Sequence, residues 1–270
     1  MNKITIGMIG CGNIGGAIVK AVNERFAANI RETVIYDLDA AKMSSIKKNF
    51  PTVREAPGID ELIALSDLVF EAVSPAVAAS VLGKCVSGGK DVMIMSIGGV
   101  IGNEKLIDEA RSKGVKVILP SGAIAGLDAV KAMKISGIDS VTLTTRKPPK
   151  SLKGAKYLEE KGIDPDSIKK ETVIFDGAAL EAIKAFPQNI NVSAILSLAG
   201  IGPEKTRVRI ISSPEYTTNS HEVTVKSKAG TLTALTDNVP SPSNPKTSYL
   251  AILSAISAIE DYFSSVRLGN

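Results

Sequence analysis

The sequence predicts an α/β protein, a doubly wound parallel sheet with a second, α+β domain behind it. Three observations predict it. Residues 3–17, Lys-Ile-Thr-Ile-Gly-Met-Ile-Gly-Cys-Gly-Asn-Ile-Gly-Gly-Ala, read as a buried strand, a glycine turn and the start of a helix. Apolar runs then alternate with helical patterns up to about residue 119, the rhythm of parallel strands joined by crossover helices. At Pro120 the rhythm changes to short strand-like segments with fewer helices between them.

The first strand spans 4–9, and Gly10, Gly12 and Gly15 after it fit G-x-G-x-x-G, the dinucleotide fingerprint of the Rossmann fold. Gly10 permits the tight turn, Gly12 lets a pyrophosphate approach the backbone, and Gly15 lets the helix lie close to the strand. Asn13 and Ile14 stand where the helix opens and unpaired N–H groups meet phosphate. The helix over 14–26 sets Ile14, Ile18, Val22 and Phe26 on one face. A second apolar run, 33–36, ends in Asp37, where an acid about 20 residues beyond the glycines binds ribose hydroxyls.

A short helix over 38–50, a small strand around Val53 and a helix over 59–65 come next. Residues 68–73 are apolar apart from Glu71, as suits a central parallel strand. Ser74-Pro75 opens a helix over 76–84, with proline in its first turn. A strand over 91–97, a helix over 103–113 and a strand over 115–119 complete the sheet. Ligands of such sheets sit beyond the carboxyl ends of the strands, so residues 10–15, Asp37, Ser74 and residues 96–99 should share one rim.

Beyond Pro120, helices are expected over 123–135, over 178–186 and after Pro187, with strands over 140–145, 172–176, 207–212, 221–228 and 231–235. Residues 237–245, rich in Pro, Ser and Asn, read as a loop whose Asn244-Pro245 caps the last helix. That helix carries Tyr249, Ile252, Leu253, Ile256, Ile259 and Phe263 as one stripe, for the first domain or a subunit interface. The expected division is a dinucleotide-binding domain over 1–119, an α+β substrate domain over 120–245 and the helix region 246–270.

Composition narrows the function. The 270 residues are 44% hydrophobic and 22% charged, a globular balance, and without Trp the core must be aliphatic. The net charge of +4 is scattered apart from Arg146 to Lys153, which is no nucleic-acid footprint and suits a small anionic substrate. Two cysteines, Cys11 and Cys85, make neither a disulfide framework nor a metal site. No secretory leader or bilayer-spanning run is read, so a cytoplasmic protein is expected.

One histidine, His221, is present, and histidine moves protons near neutral pH. It serves either catalysis or structure; a nicotinamide enzyme needs one group for the proton that accompanies hydride transfer. Residues 120–128 supply small residues for a ligand or for a close-packed crossover. The run from Arg146 to Lys153 offers cations to an acid or to solvent. Gln188 and Asn189 either cap a helix or hold a ligand.

Five stretches together resemble the L-aspartate dehydrogenase family. They are Pro-Ser-Gly-Ala-Ile-Ala-Gly-Leu-Asp at 120–128, Lys-Pro-Pro-Lys-Ser-Leu at 147–152, Phe-Pro-Gln-Asn-Ile-Asn-Val at 186–192, Asn-Ser-His at 219–221 and Asn-Val-Pro-Ser-Pro-Ser-Asn-Pro-Lys-Thr-Ser at 238–248. The resemblance implies oxidation of L-aspartate with NAD or NADP to iminoaspartate, then to oxaloacetate and ammonia or onward into pyridine nucleotide biosynthesis. It also implies a cytosolic homodimer or larger homo-oligomer, with His221 catalytic and Ala123 and Asn189 touching the cofactor. Ala125 departs from the glycine expected there. A dihydrodipicolinate-reductase-like enzyme shares the two-domain plan, but a single histidine argues against it. A non-catalytic NAD(P)-binding regulator is the rival of another class.

Overall fold

The computed structural model describes residues 3–186 and 191–269, with the side chains of Pro245 and Lys246 excepted. The chain forms two compact units, Met1–Pro120 with Ile252–Ser265, and Ser121–Ala251 with Val266–Asn270.

The first unit runs β1 (Ile4–Ile9), α1 (Asn13–Arg25), β2 (Ile30–Tyr36), α2 (Ala40–Asn49), β3 (Arg54–Glu55), α3 (Ile59–Leu65), β4 (Leu68–Glu71), α4 (Pro75–Ser87), β5 (Asp91–Ile94), α5 (Lys105–Lys113) and β6 (Val117–Ile118). All strand pairs are parallel, in the order β3-β2-β1-β4-β5-β6. The order reverses at β1, which opens a crevice between β1 and β4 at their carboxyl ends. Ile6, Met8, Leu68, Phe70 and Met93 are fully buried, so helices cover both faces. The strand expected over 91–97 stops at Ile94, and Ile97–Gly99 form a 3-10 turn. A Cβ on Gly99 would stand 2.2 Å from Pro75 O, so this turn lies hard against the start of α4.

The second unit holds α6 (Leu127–Ser136), β7 (Ile138–Lys147), α7 (Lys156–Glu160), β8 (Thr172–Ala178), α8 (Ala179–Ala185), α9 (Asn191–Ala199), β9 (Arg207–Ser212), β10 (Asn219–Ser227), β11 (Gly230–Asn238), β12 (Pro240–Ser241) and β13 (Asn244–Ser248). Its main sheet, β11-β10-β7-β9-β8, is mixed: β7 and β9 are parallel and the other neighbours antiparallel. On β7 the alternation buries Val141, Leu143, Thr145 and Lys147 on one face.

Two expectations fail here. The helix expected from residue 123 begins only at Leu127, because Gly126 adopts φ +83°, left-handed backbone that a helix cannot continue through. Residues 237–245 are not a loop, and Asn244-Pro245 opens a strand rather than the last helix. β11 runs on to Asn238, β12 pairs with β13, and α10 (Tyr249–Phe263) starts only after β13, with Tyr249 N donating to Val239 O at 3.0 Å. Pro240 fits this small ribbon because a proline is tolerated where no ladder N–H is required.

From Ile252 on, α10 belongs to the first unit. Ala255 and Ile259 are fully buried in the core that contains Phe26, Phe70 and Met93, and Tyr262 Oη donates to Asp91 Oδ2 at 2.8 Å. Among the described residues no helix is long and apolar enough to cross a membrane.

Candidate active site

Two of the three fingerprint glycines of the first unit have a steric reason within the chain. Gly10 sits at φ +95°, where a Cβ would lie 2.6 Å from Ala72 O. A Cβ on Gly15 would come within 1.8 Å of Gly10 O, so α1 can approach the turn only without one. Gly12 differs, since a Cβ there meets nothing within 4 Å. The chain itself does not need glycine at Gly12, and the open space beside it is what a pyrophosphate requires. Asn13 and Ile14 open α1, and no side chain caps it, which leaves the positive end of its dipole facing that space.

Asp37 lies past the end of β2, with its carboxylate tied down by main chain. Oδ2 accepts Cys11 N at 2.7 Å and Oδ1 accepts Asp39 N at 2.8 Å. Lys42 Nζ is 3.8 Å from Oδ1. The Cys11 thiol is pushed up to about 12, chiefly by burial and then by the charge of Asp37, so it is an unreactive packing group.

Glu71 was visible in the sequence only as a blemish in an apolar strand. Fully buried at the end of β4, it accepts Val73 N at 2.7 Å, Ser74 N at 3.1 Å, Ser96 N at 3.1 Å and Ser96 Oγ at 2.9 Å. Burial raises its carboxyl pKa against these four hydrogen bonds. The single carboxylate fastens half-buried Ser74, at the start of α4, to the loop that carries residues 96–99. An acid at the carboxyl end of a buried strand is the signal that could have found it.

In the second unit His221 lies near the start of β10, directly opposite Thr145 of β7. Its Nδ1 is 2.9 Å from Thr145 Oγ1, and the residue is 8% exposed. Burial, and then the positive charge of Lys147, push the imidazole down to about 3, so the ring is neutral at neutral pH. Lys147 is 3% exposed, and burial lowers its ammonium to about 8.

The basic run is therefore not one patch. Arg146 faces the other side of the sheet, pairs with Glu222 at 3.1 Å and lines a groove of about 680 Å³ with Tyr216 and Asp237. Lys153 pairs with Asp166 at 2.8 Å. Lys147 alone is buried beside His221, a placement that the period-2 extension of Val141, Leu143 and Thr145 would have indicated.

Ala123, buried in the turn before α6, has its carbonyl held twice: Thr236 Oγ1 donates at 2.8 Å and Asn238 Nδ2 at 3.1 Å. Ser248 Oγ donates in turn to Asn238 Oδ1 at 2.8 Å. The 238–248 ribbon thus fixes the backbone of Ala123. Asn189 lies outside the described residues.

Residues 128–262 match the family model "Aspartate dehydrogenase, C-terminal", and residues 10–120 match "Homoserine dehydrogenase, NAD binding domain". The L-aspartate dehydrogenase of Methanosarcina barkeri is 42% identical over 98% of this chain and 99% of its own. That of Methanocaldococcus jannaschii is 39% identical over the same shares. The crystal structure of aspartate dehydrogenase from Thermotoga maritima superposes with a TM-score of 0.78 at 28% identity, covering 99% of this chain and 100% of that one. A homoserine dehydrogenase from Thiobacillus denitrificans, at 15% identity and a TM-score of 0.58 over 96% of this chain and 73% of its own, shares the fold.

Proposed function

The chain belongs to the L-aspartate dehydrogenase family, and from that premise we propose how its residues carry the NAD(P)-dependent oxidation of L-aspartate. Bound NAD(P) supplies the hydride acceptor for the substrate Cα. Oxidation leaves iminoaspartate, and water added to its imine carbon releases ammonia and oxaloacetate.

The first unit supplies the cofactor's seat. Gly10, Gly12 and Gly15 shape the turn, the amides at Asn13 and Ile14 face the pyrophosphate, and Asp37 takes the ribose hydroxyls. Ser74, held by Glu71, belongs to the same rim, and Ala123 and Asn189 are the contacts offered from the rest of the chain. An acid at Asp37 repels a 2′-phosphate, so NAD is the preferred cofactor.

His221 manages the water and its proton. The observation that carries this is a neutral, buried imidazole held by Thr145 at 2.9 Å. With Nδ1–H donated to Thr145 Oγ1, the lone pair of Nε2 takes a proton from the water that attacks the imine carbon. The test is formation of NADH on addition of aspartate to the purified protein and its NAD. His221→Ala should lower kcat about 10²–10⁴-fold while NADH binding barely changes. Binding of NADH without aspartate-dependent turnover in wild type would favour a cofactor-sensing role. The same reading makes the protein a cytoplasmic homo-oligomer acting on a small molecule, its size to be read by sedimentation.

A further inference from the structure

Three buried side-chain polar atoms have no hydrogen-bond partner among the described residues: Thr33 Oγ1, Arg209 Nε and Asn219 Oδ1. Arg209 Nε still lies 3.3 Å from the carboxylate of Asp176, and Thr33 stands on β2 of the first unit. Asn219 differs, because it opens β10 two residues before His221. Side chains two apart on a strand share a face, so the orphaned oxygen and the imidazole stand on one side of the sheet. The rest of β10 keeps the same alternation. Val223 and Val225 are fully buried on that face, while Glu222 pairs with Arg146 on the other. Asn238, opposite Asn219 in β11, is already engaged. Its Nδ2 donates to Ala123 O at 3.1 Å and to Thr236 Oγ1 at 3.2 Å, and its Oδ1 accepts Ser248 Oγ.

A buried amide oxygen without a donor costs stability that a packing residue would not impose. What it asks for is an N–H. The ammonium of aspartate, its amine and the iminium left by hydride loss all carry one on the nitrogen bonded to Cα. Resting on the function proposed above, we infer that Asn219 Oδ1 accepts an N–H of the substrate nitrogen and so sets the adjoining carbon before His221. Residues two apart on a strand are about 7 Å apart, a span that hydrogen bonds of about 3 Å from each side chain close across one C–N bond. The same contact separates imine from keto acid. The carbonyl oxygen of oxaloacetate would meet Oδ1 as acceptor against acceptor, so hydrolysis removes the contact and favours release.

The test compares L-aspartate with succinate, the same dicarboxylate without the nitrogen. Both are titrated calorimetrically into NADH-saturated protein, where aspartate cannot react. Asn219→Ala should weaken aspartate binding about 10–100-fold, the range for a hydrogen bond to a charged group, and leave succinate within about 3-fold. Asn219→Asp, which keeps an oxygen at the position, should hold aspartate within about 10-fold of wild type. NADH binding should be unchanged in both variants, and kcat/KM for aspartate should fall in Asn219→Ala with the aspartate affinity. Ligand-free Asn219→Ala should melt at or above the wild-type temperature, because no hydrogen bond of the orphaned oxygen is lost. Unchanged aspartate affinity in Asn219→Ala, or an equal loss of aspartate and succinate, overturns the assignment. So does a ligand-free melting temperature well below wild type, which would make the amide a structural group. If Asn219→Ala loses aspartate selectively yet wild type forms no NADH from aspartate and NAD, the proposed reaction fails and the nitrogen contact stands.

Discussion

The carboxylate of Asp37 accepts the main-chain N–H of Cys11 at 2.7 Å, across 26 residues of sequence. The residue proposed for the ribose therefore also braces the glycine turn proposed for the pyrophosphate. On the function proposed above, recognition of the ribose and of the pyrophosphate would thus be mechanically linked through one side chain.

Asp37→Ser should for that reason have two effects. Loss of a charge-assisted acceptor lowers kcat/KM for NAD about 10–100-fold. With the repelling charge gone and Lys42 nearby, 3.8 Å from the present carboxylate, the NADP to NAD ratio should rise. Steady-state kinetics with both cofactors read it, and a wild type that strongly prefers NADP would remove Asp37 from the ribose.

Gly12 and Gly15 make a contrasting pair. Gly12→Ala should fold with near-normal thermal stability, because its methyl meets no protein atom, yet bind NADH roughly 10–100-fold more weakly. Gly15→Ala drives a methyl into Gly10 O and should be destabilised by about 1–3 kcal/mol or more. Differential scanning fluorimetry and NADH titration of the two proteins separate these outcomes. Normal NADH affinity in Gly12→Ala would mean the pyrophosphate does not cross that glycine.

The pH dependence follows from the lowered imidazole. Activity that needs neutral His221 should persist as the pH falls through 6.5, and its acid limb should lie well below that value. Stability behaves differently. The unfolded chain protonates this histidine near 6.5 and the folded chain only near 3, so the unfolded state binds the extra proton between them. The stability contributed by neutral His221 is present above about 6.5 and is lost as the pH falls through that window towards 3. Between pH 6.5 and pH 5 wild type should lose about 2 kcal/mol relative to His221→Asn. Urea unfolding at several pH values measures it, and parallel curves would show that burial does not shift the group.

Asn238 anchors the Ala123 carbonyl and accepts in turn from Ser248. Asn238→Ala should cost about 1–2 kcal/mol by stranding the Ser248 hydroxyl and leaving the Ala123 carbonyl to Thr236 alone. It should also weaken NADH binding if Ala123 touches the cofactor. Ser248→Ala, which removes only the outer bond, should do less of both. An Asn238→Ala protein with wild-type NADH affinity would detach Ala123 from the cofactor site.

What could be read beforehand depended on periodicity. The parallel strands announced themselves as apolar runs, and the glycine fingerprint as fixed spacing, so the rim carrying Gly10, Asp37, Ser74 and Ser96 was legible to within a few residues. The 238–248 ribbon was not. Its strands are short, contain proline and serine, and are held by Asn238 and Tyr249 N rather than by an apolar face. Lys147 was hidden for the opposite reason. A run of charges suggests solvent, yet strand alternation sends Arg146 to one face and Lys147 to the other. The Thr145–His221 contact spans 76 residues and follows from sheet register, which no local pattern carries.

The return of α10 to the first unit has a consequence for biosynthesis. Ala255 and Ile259 complete the core around Phe26 and Met93, and Tyr262 ties down Asp91, 171 residues away in sequence. A nascent chain that has just emerged through β6 therefore has all six parallel strands but still exposes the apolar surface that α10 will cover. The first unit cannot complete its core until Ile252–Ser265 has been synthesised, after residues 121–251 of the second. During that interval the uncovered apolar surface of the early sheet is a hazard for aggregation.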